Sequence, residues 1–143
     1  MTVDRHGNTS AASIPLATHR LLQEHPELPH LALIAPATET RTVMEYFFTF
    51  LKLDPAVRPE FDKIIIKKGG RSPEYYSIRR AMQYIRAKVL WLHDEEDDTT
   101  PITDVLKVKA ENYPHIEFVI TKGLGHRRIY RDTNVTKAIV DFL

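Results

Sequence analysis

The sequence predicts an α/β fold, a parallel sheet of about three strands with helices packed on it. Three observations predict it. Residues 31–35, 88–93 and 116–120 are short and almost wholly apolar, as buried parallel strands are. Amphipathic, helix-like text lies between and after them. Together, the last 56 residues read strand, helix, strand, helix, and parallel strands require such crossovers.

Residues 1–12 are small and polar. Residues 11–22 are rich in Ala and Leu and read as a helix starting near Pro15, because an interior proline costs roughly 3 kcal/mol. His25-Pro26 ends it. Pro29 and Pro36 bound the first strand, Leu31-Ala-Leu-Ile-Ala35. Residues 40–86 then form a helical insertion, read as helices 43–51, 59–68 and 73–86, with Gly69-Gly70 breaking the second from the third and Ser72 capping the third. From Lys52 to Lys88 this insertion carries ten Lys and Arg against four Asp and Glu; the simplest reading is a solvated helical face. After the second strand, Thr100-Pro101 reads as an N-cap and first helical residue. Ile102, Val105, Leu106, Ala110 and Tyr113 would face the sheet. Val135, Ala138, Ile139 and Phe142 give the closing helix its apolar stripe.

Composition narrows the function classes. At 143 residues and 43% hydrophobic, the chain is one domain, residues 1–143. A chain of this size can bury about two-thirds of the surface it exposes unfolded. Twenty basic residues against nineteen acidic ones give a net charge of +1, unlike a dedicated nucleic-acid binder. No apolar run approaches the roughly 18 residues of a membrane span. The start, Met-Thr-Val-Asp-Arg-His, has no apolar core of a secretory signal. With no Cys there is no disulfide, thiolate metal site or Cys nucleophile. A cytoplasmic globular domain is expected, with no nucleic-acid or membrane partner.

In open α/β sheets, ligands bind beyond the carboxyl ends of the strands. Two loops fall there. His93-Asp94-Glu95-Glu96-Asp97-Asp98-Thr99-Thr100-Pro101 follows the second strand, and Lys122-Gly123-Leu124-Gly125-His126-Arg127-Arg128 follows the third. One offers carboxylates and the other an imidazole. A carboxylate that holds a histidine in one tautomer is the orienting half of a nucleophilic triad. Taken singly, each piece reads more blandly. An acidic run is usually a solvated loop or favourable charge near a helix start. Its spacing lacks the alternation and central Gly of a calcium loop, so no metal is expected. Gly123-x-Gly125 lacks the third glycine of a dinucleotide site, and no cofactor is expected. Arg127, Arg128 and Arg131 read as surface residues, and His6, His19, His25, His30, His93 and His115 as residues of turns and helix ends.

Taken together, the element order and the two loops resemble the C-terminal half of the α/β-hydrolase fold. That family places its acid in text like His-Asp/Gly-x-x-Asp-x-x-x-Pro, which fits Asp97, four residues before Pro101. Its histidine follows the last strand in text like Gly-x-Gly-His, which fits His126, 29 residues after Asp97. The resemblance covers about residue 11 to residue 143 and makes the chain a partial α/β-hydrolase-like sheet, with residues 40–86 as a helical cap-like insertion. It implies Asp97 and His126 as catalytic residues acting on a small acyl substrate, an ester or related bond.

The family's nucleophile stands in a Gly-x-Ser-x-Gly turn upstream of the first strand found here. This sequence has no such pentapeptide. Arg5-His6-Gly7-Asn8-Thr9-Ser10 falls over that turn, and the nucleophile position falls on Gly7. Thr9 and Ser10 are the nearby hydroxyls, but Ser10 would begin the helix and not the turn, and reads more simply as a helix N-cap. The family's first strands are missing as well, so the domain is expected to be truncated on its N-terminal side. Two functions stay open: a hydrolase using the His–Asp pair, or a catalytically degenerate domain kept as a binding or oligomeric interaction module. The acids after the second strand also resemble the acidic pocket of a phosphotransfer receiver, but the order of elements does not fit. An uncovered parallel edge favours pairing, so a homo-oligomer, or pairing with another chain through strand 31–35 and helix 11–22, is expected.

Overall fold

The computed structural model describes residues 28–143. The expected helix 11–22, and Gly7, Thr9 and Ser10, lie outside the described residues. Strands β1 (His30–Ile34), β2 (Lys88–Asp94) and β3 (Ile116–Thr121) form one sheet in the order β1-β2-β3. Both ladders are parallel, with Leu33 opposite Trp91 and Trp91 opposite Phe118. The central strand is buried along almost its whole length, which is why its text is so continuously apolar.

Alternation along β2 sends side chains to two cores. Val89 and Trp91 join Leu33, Ile78, Met82, Val105 and Val108 on one face. Leu90 and Leu92 join Ala35, Ile129 and Val135 on the other. The helices are α1 (Thr40–Phe50), α2 (Val57–Gly69), α3 (Ile78–Met82), α4 (Ile102–Ala110), α5 (Gly125–Arg128) and α6 (Thr133–Phe142); α3 and α4 pack on the first core and α6 on the second. Among the described residues, no helix is long and apolar enough to cross a membrane.

Between β1 and β2 the chain is helical, but the third expected helix differs: it ends at Met82 and Ser72 makes no side-chain cap hydrogen bond. Helix 73–86 is broken: Pro73–Tyr76 is a 3₁₀ turn, Ser77 is extended, and α3 starts at Ile78. The Ser77 hydroxyl both donates to the Thr38 carbonyl and accepts from the Arg80 amide. The Ile78 amide donates to the same carbonyl. These contacts with the chain after β1 outweigh continuous helix at a residue suited to capping. α2 ends at Gly70, whose φ of 78° is the left-handed conformation glycine tolerates.

The face of α4 also differs. Val105 and Val108 are buried, as is Asp104, whereas Leu106 and Ala110 are exposed. Asp104 enters this stripe because Lys107 Nζ lies 2.7 Å from its carboxylate. On α6, Val135, Ala138, Ile139 and Phe142 pack on the second core, and the Asp132 carboxylate caps the helix through the Asn134 and Val135 amides.

Candidate active site

The carboxyl ends of β2 and β3 carry two loops that hydrogen-bond to each other. Of the five consecutive acids, Asp94 and Asp97 are buried, while Glu95, Glu96 and Asp98 are exposed. Parity explains Asp94: as the last residue of β2 it follows Leu90 and Leu92 onto the face where Leu124 and Ile129 pack.

Asp97 sits in a tight turn that wraps its own carboxylate. Oδ1 accepts from the amides of Thr99 at 2.9 Å and Thr100 at 2.7 Å. Oδ2 accepts from the Thr100 hydroxyl at 2.8 Å and from His126 Nδ1 at 2.8 Å. Burial pushes this carboxyl upward, but the Thr100 amide, His126, the Thr100 hydroxyl and the Thr99 amide outweigh it. Asp97 is therefore held below the usual carboxylate range, ionised and acceptor-only. An ionised acceptor at Nδ1 fixes the proton there and leaves the lone pair on Nε2. The His126 side chain keeps 26% of its exposure while that of Asp97 has none, so the pair has a buried end and an accessible end.

The histidine loop owes its shape to two glycines. Gly123 and Gly125 have φ of 82° and 62°, a region that favours glycine. The turn they make aims the Leu124 and Gly125 amides at Asp94, at 3.1 and 2.9 Å. Behind His126, Ile129 is completely buried and anchors the short helix α5. The Tyr130 ring meets His126 edge-on at 5.8 Å, and its hydroxyl donates to the Ile34 carbonyl at the tip of β1. Burial, then the Asp97 charge, raises the Tyr130 hydroxyl above its usual range, so it stays protonated.

His93 is no turn residue. It lies within β2, fully buried, on the face opposite Asp94. Its Nε2 donates to the Thr100 carbonyl at 2.7 Å and lies 3.8 Å from Asp97 Oδ2. Burial lowers its pKa below the usual value and keeps the ring neutral, although the Thr100 carbonyl and Asp97 pull the other way. Asp94 and His93 are the residues that sequence reasoning passed over. For His93 the signal was its place at the end of the apolar run, whereas Asp94 opens the acidic run and belongs to the strand only in the structure. Arg127, Arg128 and Arg131 are exposed, and Arg128 Nε donates to the Leu124 carbonyl at 3.0 Å. Among the described residues, no group of three or more His, Asp or Glu side chains is arranged to hold a metal ion.

A parallel sheet with an acid loop after one strand, a histidine loop after the next and the two side chains bonded at the rim has the form of the α/β-hydrolase fold. Comparison with solved structures agrees. An esterase from Pyrococcus furiosus, in two crystal forms, superposes with TM-scores of 0.61 and 0.60 at 17% and 14% identity, over 90% of this chain and 49% of the esterase. The mouse alpha/beta hydrolase domain-containing protein 10 superposes with a TM-score of 0.52 at 18% identity, over 89% of this chain and 55% of that protein. The chain is α/β-hydrolase-like in fold, and it spans about half the length of the solved structures it matches. No family model matches it. A stretch of 22 residues, 15% of this chain, is 96% identical to β-ketoacyl-[acyl-carrier-protein] synthase III of Kocuria rhizophila and makes up 6% of that synthase.

Proposed function

We propose that this protein hydrolyses ester or related acyl bonds of a small substrate, with His126 as general base and Asp97 as its orienting acid. One observation carries the proposal: the 2.8 Å bond from His126 Nδ1 to the buried Asp97 carboxylate, which leaves the basic Nε2 free of the acid. In this reading Nε2 takes the proton from an attacking hydroxyl as it adds to the substrate carbonyl, and returns it to the leaving alcohol. Asp97 remains ionised and steadies the imidazolium. The hydroxyl would belong to Ser10 or Thr9, to a serine of another chain, or to water; on a side-chain hydroxyl the acyl group stays until a water, giving its proton to the same Nε2, releases the acid and the side chain takes that proton back. Residues 40–86 serve as the cap, and the cytoplasm is the proposed compartment. We also propose that the outer edge of β1 pairs with a second chain.

The test is hydrolysis of short p-nitrophenyl esters. His126→Ala and Asp97→Asn are each expected to lower the rate by about 100-fold or more, the scale of general acid–base catalysis. Equal rates in the wild type and both variants would overturn the reading. A fluorophosphonate probe then separates a protein hydroxyl, which is labelled, from water, which is not. The second reading, a degenerate domain kept for binding, is favoured by the lack of a Gly-x-Ser-x-Gly turn in the sequence. It predicts neither labelling nor a rate that depends on His126.

A further inference from the structure

We infer that Asp94 is the positioning residue of this site, a buried carboxylate that locks the histidine loop to the acid loop and so sets the Asp97–His126 hydrogen bond. The inference rests on the reading of Asp97 and His126 as acid and base. Asp94 touches neither side chain. Its Oδ1 accepts from the Glu96 amide at 3.0 Å and the Gly125 amide at 2.9 Å. Its Oδ2 accepts from the Thr121 hydroxyl at 2.7 Å and the Leu124 amide at 3.1 Å. Four donors from three segments thus converge on one side chain with no exposed surface. Glu96 immediately precedes Asp97, and Gly125 immediately precedes His126. Both partners of the catalytic pair are held at the residue before them by one group.

Only a carboxylate fits this position. Each of its oxygens accepts two hydrogen bonds, as an ionised carboxylate can. Burial opposes the charge, but the Thr121 hydroxyl and the amides of Gly125, Leu124 and Glu96 more than compensate, bringing the pKa down to about 2. An asparagine offers one oxygen. Whichever way its amide is turned, an NH₂ group faces two donors, and one side of the lock opens. Backbone conformation fits the same role. The positive φ of Gly123 and Gly125 is what brings two successive amides round to one acceptor.

The experiment is NMR of Asp94→Asn with the ring nitrogens of His126 labelled. In the wild type, Nδ1 is expected to carry the proton and Nε2 the lone pair, with the Nδ1 proton resonating downfield. In Asp94→Asn the nitrogen shifts are expected to average toward mixed tautomers and the downfield proton to vanish. The Leu124 and Gly125 amides should exchange about 10- to 100-fold faster, the factor carried by a lost hydrogen bond to a charged acceptor. Thr121→Val removes one donor but leaves the loop amides in place, and is expected to keep the His126 signal. A folded Asp94→Asn protein with unchanged His126 shifts overturns the inference. So does equal loss in Thr121→Val, because any loosening of the strand tip would then suffice. Should Asp94→Asn not fold, exchange in the wild type decides. Leu124 and Gly125 must be protected alongside the β2–β3 amides, and unprotected loop amides sink the proposal. None of these readouts needs turnover, so an inactive wild type would refute the proposed hydrolysis and leave this inference standing.

Discussion

Thr100 gathers the hydrogen bonds behind the acid. Its amide and hydroxyl each donate to Asp97, and its carbonyl accepts from His93. His93 must be neutral to sit there, since burial lowers its pKa below the ordinary 6.5. An unfolded chain frees the ring to take up a proton near that value. Below it the unfolded state binds more protons than the folded one, so stability declines as pH falls through about 6.5 and is fully present above it. Urea titrations across this range should show the decline. They should show a smaller one for His93→Gln, which keeps a donor for the Thr100 carbonyl and has nothing to protonate. Identical slopes would show that His93 is not the group responsible. The two acids contribute in the same direction at lower pH. Asp94 stabilises the fold fully above its ordinary 3.8, and the contribution is lost as pH falls toward about 2. The resemblance of the two loops to those of the α/β-hydrolase fold picks out Asp97 and His126, which the structure brings within 2.8 Å of each other. Asp94 could not be told from its four acidic neighbours, because burial within a run depends on which residue still belongs to the strand.

At the scale of elements, the histidine loop is a short helix that cannot hold itself. α5 has four residues, fewer than an isolated helix needs to be stable. Its anchors are Asp94 in front and Ile129 behind, with Tyr130 tied to the tip of β1. Ile129→Ala should cost about 2–5 kcal/mol by removing a wholly buried side chain. The loss is expected in urea unfolding, with His126 exchanging between environments before the sheet melts. A cost below about 1 kcal/mol would show that the loop does not depend on this contact. The strands could be read from the sequence because a strand buried on both faces leaves an unbroken apolar run. The break at Ser77 could not. What decides it is the Thr38 carbonyl, 39 residues away, which takes hydrogen bonds from both the Ser77 hydroxyl and the Ile78 amide. On α4, the periodicity favoured Leu106 over Val108, whereas the helix turns Val108 inward and accommodates Asp104 through Lys107.

For the whole molecule, the question is what lies along the outer edge of β1. Among the described residues β1 pairs with β2 and has no strand on its other side. The opposite edge, β3, carries an exposed Glu117, a charge of the kind that discourages edge pairing. β1 reads His-Leu-Ala-Leu-Ile and has none within its span. The esterase that superposes on 90% of this chain has roughly as much chain again, since only 49% of it is matched. A free edge without charge in a parallel sheet is a template for another strand, and proteins seldom leave one open. Pairing with a second chain would close it and could also bring a hydroxyl toward His126. Sedimentation equilibrium at micromolar concentration should therefore give a mass above that of one chain. Ala32→Lys, which puts a charge in the middle of β1, should bring the mass down toward the monomer. A wild-type protein that sediments as a well-behaved monomer would show that the β1 edge is satisfied within the chain, and any hydroxyl that reaches His126 would then have to come from the chain itself or from water.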